Sequence, residues 1–137
     1  MNTTTADRDE LPIAGDDDVV RVRQLVRTFA VKAKLSLVDQ TKLVTAASEL
    51  ARNTLNYGGG GVAAVELVSN GRRPGIRAVF TDEGPGIPNI DLALTDGWTS
   101  GSGLGLGMSG ARRLVDEFEV ETTVGRGTTV SIVKWAR

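Results

Sequence analysis

Two short segments constrain the fold of this chain more than any other part of it. The first, Glu49-Leu-Ala-Arg-Asn53, sets a carboxylate and a carboxamide four residues apart, within about 40° of each other around a helix. The second, Asp82-Glu-Gly-Pro-Gly86, ends an apolar strand on an acid, and alternating glycines follow over Gly101–Gly107. Glycines that lead into a helix with apolar periodicity present free N–H groups at its positive end. We therefore expect a fold in which a helix, a strand end and a glycine-rich loop meet.

Composition limits the chemistry available to the chain. Its 137 residues suffice for one domain with a buried core, and a hydrophobic fraction of 40% is ordinary for a globular protein. The net charge of −1 gives no reason to expect nucleic acid or an anionic membrane as a partner. No apolar run approaches the roughly 18 residues of a membrane span, and the polar N-terminus is no signal peptide, so a cytoplasmic location fits. Without cysteine or histidine, the chemistry must use carboxylates, hydroxyls, amides and a bound metal.

The pattern of apolar and turn residues predicts a flexible N-terminus over residues 1–10 and a single domain over residues 11–137. The predicted helices run from about Val19, after the capping acids Asp16–Asp18, to about Leu35, from about Val38 to Tyr57 and from about Leu104 to Glu117. The predicted strands are an edge strand over Leu11–Ala14 and strands over Val62–Ser69, Ile76–Thr81, Phe118–Val124 and Thr128–Trp135. The segment between Gly84 and Gly103 is too long for a simple connection and indicates a functional lid. This grouping predicts an α/β fold (an α+β sandwich) with helices on one face of a mixed, mostly antiparallel sheet.

Glu49 and Asn53 have the residue types that phosphate chemistry needs. Magnesium takes oxygen ligands and usually keeps several waters, so the Asn53 amide oxygen plus phosphate oxygens would suffice to hold it. A nearby Glu49 carboxylate can accept a proton from an attacking hydroxyl. The alternative is a solvated helix face, because several polar residues share this sector: Lys42, Thr45, Arg52 and Asn56.

Asp82 is the most discriminating single candidate. A carboxylate accepts hydrogen bonds, so it can bind an exocyclic adenine amine and reject the carbonyl of guanine. Gly84 and Gly86 would let the backbone pass close beneath a flat base, where a Cβ would collide. The hydroxyl of Thr128 could support the adenine end. The alternatives are an ordinary turn at Asp82–Gly86 and a simple strand residue at Thr128.

With these residues in place, the sequence resembles the GHKL ATPase/kinase superfamily, which shares the Bergerat ATP-binding fold. Within it, the likeness is to the small bacterial switch kinases of the RsbT type, from about Leu11 to Arg137. Glu49-Leu-Ala-Arg-Asn53 is similar to the N box of the superfamily, and Asp82-Glu-Gly-Pro-Gly86 to its first glycine box. Gly101–Gly107 is similar to the second glycine box, and Gly127-Thr128 to the last conserved element.

The resemblance implies a role for each of these residues. Glu49 would be the general base, Asn53 the magnesium ligand, and Asp82 the partner of the adenine amine. ATP and Mg²⁺ would be the cofactors. The residues implied to bind the nucleotide are Asn53, Asp82, Gly84, Gly86, Gly101, Gly103, Leu104, Gly105, Leu106, Gly107 and Thr128.

The resemblance also implies a function, a protein-serine/threonine kinase. It would use Mg-ATP to phosphorylate a STAS-domain antagonist in a stress-signalling partner switch, and would then activate a PP2C-type phosphatase. Two alternatives stay open: an anti-sigma factor kinase of the same fold, which binds a sigma factor, and an ATP-supported binding regulator with little catalysis. The chain departs from a self-sufficient kinase in one respect, since no Lys or Arg lies between Gly84 and Ala111. We therefore expect slow catalysis without the protein substrate.

Overall fold

The structure is a computed structural model, and it describes residues 3–87, 94 and 107–137. Its elements, in chain order, are β1 (Thr4–Ile13), α1 (Asp16–Lys32), α2 (Leu37–Asn56), β2 (Gly61–Ser69), β3 (Pro74–Asp82), α3 (Gly107–Arg113), β4 (Glu117–Thr123) and β5 (Gly127–Trp135). None of the described helices is both long and apolar enough to cross a membrane.

The described strands form one sheet in the order β1-β2-β3-β5-β4. All four of these pairings are antiparallel, so the described sheet contains none of the parallel pairing that a mixed sheet would have. One face of the sheet packs against α1 and α2 and forms the core. The inward side chains of the sheet include Ala63, Val65, Ile76, Ala78, Phe80, Val130 and Ile132. The predicted α+β sandwich, with helices on one face of a mostly antiparallel sheet, is confirmed.

Helix α2 matters most for function because it runs beneath the sheet toward the candidate site. It begins after Ser36, whose hydroxyl accepts the Asp39 N–H at 3.1 Å and so satisfies one of the free donors at the helix start. Its buried stripe is the predicted one: Leu43, Ala47, Leu50 and Thr54. Burial of this stripe against the sheet fixes which face of α2 is turned to the core.

The structure differs from the sequence-based prediction at the N-terminus. Residues 1–10 were expected to be flexible, yet β1 begins at Thr4 and pairs with β2 along its length, with an irregularity between Thr5 and Asp7. Most of its side chains are exposed, so polar residues are tolerated and give no apolar pattern to detect. The hydrogen bonds to β2 hold this edge strand through its backbone.

A second difference concerns the helix predicted from about Leu104 to Glu117. Helix α3 ends at Arg113, and Glu117 is already the first residue of β4. The alternation of half-buried and exposed side chains along β4 explains this, because a period of two cannot continue a helix. The predicted start at Leu104 and most of the predicted lid lie outside the described residues.

Candidate functional site

A cleft opens between α2 and the inner face of the sheet, beside the end of β3. Its empty volume, counted out to the open mouth, is about 430 Å³. The lining residues are Leu50, Asn53, Thr54, Tyr57, Phe80, Asp82, Ile87, Met108, Thr128 and Val130. Three predicted site residues, Asn53, Asp82 and Thr128, thus line one cavity although they are far apart in the sequence.

Asp82 is the last residue of β3 and lies opposite Thr128 of β5 in the strand register. Its Oδ1 accepts the Gly84 N–H at 2.9 Å, which closes a tight turn after the strand. Gly58, just past α2, packs against the other side of this carboxyl group, and a Cβ there would overlap the Asp82 side chain. The carboxylate is therefore held between a turn and a helix end, at the wall of the cavity.

The glycines around Asp82 are needed for close packing of backbone on backbone. A Cβ on Gly84 would come within 2.7 Å of the Gly58 Cα, and a Cβ on Gly127 would overlap the Asp82 carbonyl oxygen. Gly86 has a φ of +78°, in the left-handed region that favours glycine. These contacts are with protein atoms, so the passage of Gly84 and Gly86 beneath a base stays a prediction.

Glu49 and Asn53 project from α2, one helical turn apart. Glu49 is 7% exposed, and its Oε1 lies 3.0 Å from the Arg52 Nη1, so it does not belong to a solvated face. Asn53 is half-buried and lines the cavity. Glu49 lies one turn further back, outside the cavity lining that the described residues form. The helix thus offers a carboxamide to the cavity and a carboxylate next to its rim.

The donor set around Asn53 suits a metal ion that arrives with its own ligands. Within the described part of the chain, no group of three or more acidic side chains is arranged to hold a metal. Magnesium in phosphate-transfer sites is usually held by one or two protein oxygens, with substrate phosphates and water as the other ligands. One amide oxygen from Asn53 fits that requirement.

Two hydroxyl groups in the cavity region were not predicted from the sequence. The Thr122 Oγ1 lies 2.9 Å from the Thr128 Oγ1 and accepts the Ile87 N–H, also at 2.9 Å. The Tyr57 hydroxyl donates to the Gly86 carbonyl at 3.1 Å. Each had a signal that could have found it: Tyr57 follows Asn53 by one helical turn, and Thr122 alternates inward on β4.

The remaining predicted phosphate contacts fall largely outside the described residues. Gly101, Gly103, Leu104, Gly105 and Leu106 are among them, and their roles stay predictions. Gly107 is the first residue of α3, and Met108, the next residue, lines the cavity. The start of α3 is therefore adjacent to the cavity that Asn53 and Asp82 share.

Comparison with known proteins agrees with this geometry. Residues 38–136 match the family model of the histidine kinase-, DNA gyrase B- and HSP90-like ATPases. The chain belongs to this family. The match includes every described residue that lines the cavity, and it confirms the GHKL resemblance.

Individual members of this ATPase family are similar over most of the chain. The serine/threonine-protein kinase RsbT of Bacillus subtilis (strain 168) is 41% identical over 88% of this chain and 90% of its own length. The anti-sigma F factor of Thermoanaerobacter sp. (strain X514) is 29% identical over 82% of each chain.

Solved structures show the same fold. The RsbU and RsbW domains of a Mycobacterium tuberculosis protein superpose with a TM-score of 0.68 at 21% identity, over 96% of this chain and 33% of that one. The mycobacterial sensor histidine kinase MprB superposes with a TM-score of 0.56 at 18% identity, over 96% of this chain and 99% of that one.

Proposed function

We propose that this chain is a protein-serine/threonine kinase that takes its phosphate from Mg-ATP. The observation that carries the proposal is that Asn53, Asp82 and Thr128 line one cavity in a chain of the ATPase family. The 41% identity to the serine/threonine-protein kinase RsbT supports protein phosphorylation over other uses of ATP.

The adenine end of the nucleotide is assigned to Asp82 and Thr128. An ionised carboxylate only accepts hydrogen bonds, so Asp82 fits the amine of adenine and repels the carbonyl that guanine has in its place. The Thr128 hydroxyl lies opposite in the strand register and can bond a second atom of the base. With adenine there, the phosphates extend toward Asn53 and the start of α3.

The transfer step is assigned to Glu49 of α2. The carboxylate of Glu49 takes the proton from the hydroxyl of an acceptor serine or threonine while the oxygen of that hydroxyl forms a bond to the γ-phosphorus. The bond from that phosphorus to the bridging oxygen breaks, and ADP leaves. Arg52 contacts one oxygen of the Glu49 carboxylate and so restricts its orientation. Magnesium, held by Asn53 and the phosphates, would neutralise the charge that develops on the phosphate oxygens.

Catalysis by the isolated chain should be slow. Between Gly84 and Ala111 the sequence has no Lys or Arg that could reach the γ-phosphate. A single arginine in that position contributes about 10³-fold or more to phosphoryl transfer in related chemistry. We therefore expect the protein substrate to complete the site, and rapid ATP hydrolysis by the chain alone would contradict this.

The partners are assigned from the likeness to RsbT. We propose a STAS-domain antagonist as the phosphate acceptor, a PP2C-type phosphatase as the protein that the released kinase activates, and the cytoplasm as the place of action. The second candidate function, an anti-sigma factor, draws on the 29% identity to anti-sigma F factors. Capture of a sigma factor by the purified chain would favour that role.

The deciding experiment is transfer of labelled γ-phosphate from Mg-ATP to a STAS-domain protein encoded beside this chain. Wild type should label a serine or threonine of the partner. Glu49→Gln should lower the rate by about 10²- to 10⁴-fold while ATP still binds, since a general base contributes that much. Glu66→Gln is the matched control, because Glu66 is also ion-paired and largely buried but lies on the outer face of the sheet.

Two outcomes would contradict the proposal. Equal rates of phosphate transfer by wild type and Glu49→Gln would show that Glu49 is not the general base. Tight binding of ATP and of the partner without any transfer would indicate a binding regulator that ATP merely supports.

A further inference from the structure

Three consecutive residues at the cavity, the last of which (Ile87) lines it, are each tied to a different part of the fold. We call Pro85–Ile87 the cavity wall. The Pro85 carbonyl accepts the Gly125 N–H at 2.8 Å, from the turn between β4 and β5. The Gly86 carbonyl accepts the Tyr57 hydroxyl, and the Ile87 N–H donates to the Thr122 Oγ1. Two of these three ties are made by side-chain hydroxyls, one by that of Tyr57 and the other by that of Thr122.

Thr122 connects the cavity wall to Thr128. Its hydroxyl accepts from Ile87 and lies 3.2 Å from the Gly127 carbonyl oxygen and 2.9 Å from the Thr128 Oγ1. A hydroxyl has one hydrogen. If Thr122 donates to Gly127, then Thr128 must donate to Thr122, and the Thr128 oxygen faces the cavity as an acceptor. If Thr122 donates to Thr128, the Thr128 hydrogen is free to reach the cavity.

Tyr57 connects the cavity wall to α2. It is the C-terminal cap residue of the helix, and its ring packs against the hydrophobic core. Its hydroxyl bond to Gly86 joins the end of α2, one turn after Asn53, to the segment that follows Asp82. This bond therefore restricts the separation of Asn53 and Asp82, which are assigned to opposite ends of the nucleotide.

We propose that Tyr57 and Thr122 are positioning residues for the nucleotide. Their hydroxyls hold the cavity wall so that the Ile87 side chain and the Thr128 hydroxyl form a preorganised adenine pocket. This inference rests on the proposed function, since it takes the cavity to be the ATP site. Preorganisation of a pocket raises affinity because the ordering is complete before the ligand binds.

The test removes each hydroxyl without changing the shape of the side chain. ATP and adenosine affinities are measured by calorimetry for wild type, Tyr57→Phe, Thr122→Val and Thr122→Ser. The control is Thr28→Val, which removes a hydroxyl bonded to the Gln24 carbonyl on the exposed side of α1. Thermal unfolding of each variant separates loss of fold from loss of positioning.

We expect Tyr57→Phe to weaken binding by about 3- to 10-fold, the range for one neutral hydrogen bond, and Thr122→Val to weaken it by at least as much, because the Thr122 hydroxyl contacts three polar groups. The factor should be the same for ATP and adenosine, because the proposal places the wall against the base and away from the phosphates. Thr122→Ser should bind as wild type does, and Thr28→Val should leave both affinities unchanged. Hydrogen exchange at the Ile87 amide should accelerate in Thr122→Val and stay slow in Thr122→Ser.

Each contrary result overturns a different statement. If wild type binds neither ATP nor adenosine, the proposed function fails and this inference fails with it. If wild type binds but Tyr57→Phe and Thr122→Val bind equally well, only the positioning role is overturned. A loss confined to ATP, or one that appears only where the melting temperature falls, also overturns it.

Discussion

The two ends of α2 are held in place by different chemistry. Near its start, Asp39 belongs to what we call the charge cluster, formed by Asp39, Asp116, Lys134 and Arg137. The Lys134 Nζ lies 3.5 Å from the Asp39 Oδ1 and 3.6 Å from the Asp116 Oδ1, and Lys134 is only 4% exposed. Near its end, Tyr57 is bonded to a backbone carbonyl through a neutral hydroxyl.

This difference separates stability from ligand binding. A buried charge that loses its partner is strongly destabilising whether or not a ligand is present. A neutral hydroxyl or a half-buried carboxylate beside an open cavity can be replaced with little effect on the fold, but the ligand then loses a contact. Substitutions at the start of α2 should therefore lower the free energy of unfolding, whereas substitutions near its end should lower affinity.

The largest effect is expected at the charge cluster. Lys134→Met keeps the length and apolar stem of the side chain but leaves Asp39 and Asp116 facing each other. Loss of one partner of a buried pair typically destabilises by about 3 to 5 kcal/mol. Because Arg137 still contacts both acids, we expect about 3 kcal/mol, measured by urea unfolding. ATP affinity of the folded variant should stay within about twofold of wild type.

Lys32→Met is the matched control for that variant. Lys32 pairs with Asp7 at 3.1 Å, but both side chains are 48% exposed. An exposed pair of this kind contributes little to the free energy of unfolding, and salt weakens its contribution further. Equal losses in Lys134→Met and Lys32→Met would mean that burial does not distinguish the two pairs.

The next effect is expected at Asp82, on the cavity side. Asp82→Asn preserves the shape of the side chain but places an amide where the adenine amine needs an acceptor. A hydrogen bond to a charged group contributes about 1.5 to 3 kcal/mol, so ATP affinity should fall by about 10- to 100-fold. The free energy of unfolding without nucleotide should change little. Binding is measured by calorimetry and unfolding in urea.

Glu83→Gln serves as the control for Asp82→Asn, because it removes the neighbouring, exposed carboxylate. It should leave ATP affinity unchanged, which excludes a general effect of charge near the cavity. If Asp82→Asn binds ATP as tightly as wild type does, the assignment of Asp82 to the adenine amine is wrong.

Sequence reasoning works best where a residue's role depends on its near neighbours. The buried stripe of α2 follows from a spacing of three and four residues, and the hairpin at Asn70 from a turn whose side-chain oxygen accepts two backbone N–H groups. Asn53, Asp82 and Thr128 are predictable as residue types within short motifs. That they line one cavity requires the sheet, which brings β3 next to β5.

The parts that were missed depend on contacts between distant residues. In the sequence Lys134 is an ordinary strand residue, and only the fold places Asp39 and Asp116 next to its ammonium group. The burial of Glu49, which is a candidate base by its residue type and spacing, also follows only from the fold, because its position on the helix alone is compatible with a solvated face. Thr122 acquires its role only because Thr128 and Ile87 reach it from two other segments. No local period encodes such contacts.

The smallest effect is expected at the start of α1, where a carboxylate acts near the surface. The N–H of Ala14 donates to Asp18 and holds the pKa of its carboxyl below the ordinary value of 3.8, with help from Arg21 and the Gly15 N–H. Because the folded-state pKa is the lower one, this contribution is complete above pH 3.8 and is lost as the pH falls through the folded-state pKa. Asp18→Asn should lower the melting temperature by roughly 2 to 4 °C at pH 7.

The pH dependence tests whether the effect of Asp18 comes from its ionised carboxylate, and a second variant separates its hydrogen bonds from the general effect of a negative charge at the helix start. The difference between wild type and Asp18→Asn should shrink as the pH is lowered from 7 to below 3, because protonation removes the same charge from wild type. Asp17→Asn, one residue earlier in the same turn, gives the effect of a charge near the helix start without the bond from Ala14. If Asp17→Asn and Asp18→Asn lower the melting temperature equally at pH 7, the hydrogen bonds to Asp18 add nothing to stability beyond the effect of the charge. A negative charge anywhere in the first turn of α1 would then stabilise this helix end to the same extent. The start of α2 differs, because the buried Asp39 there needs a specific partner, Lys134.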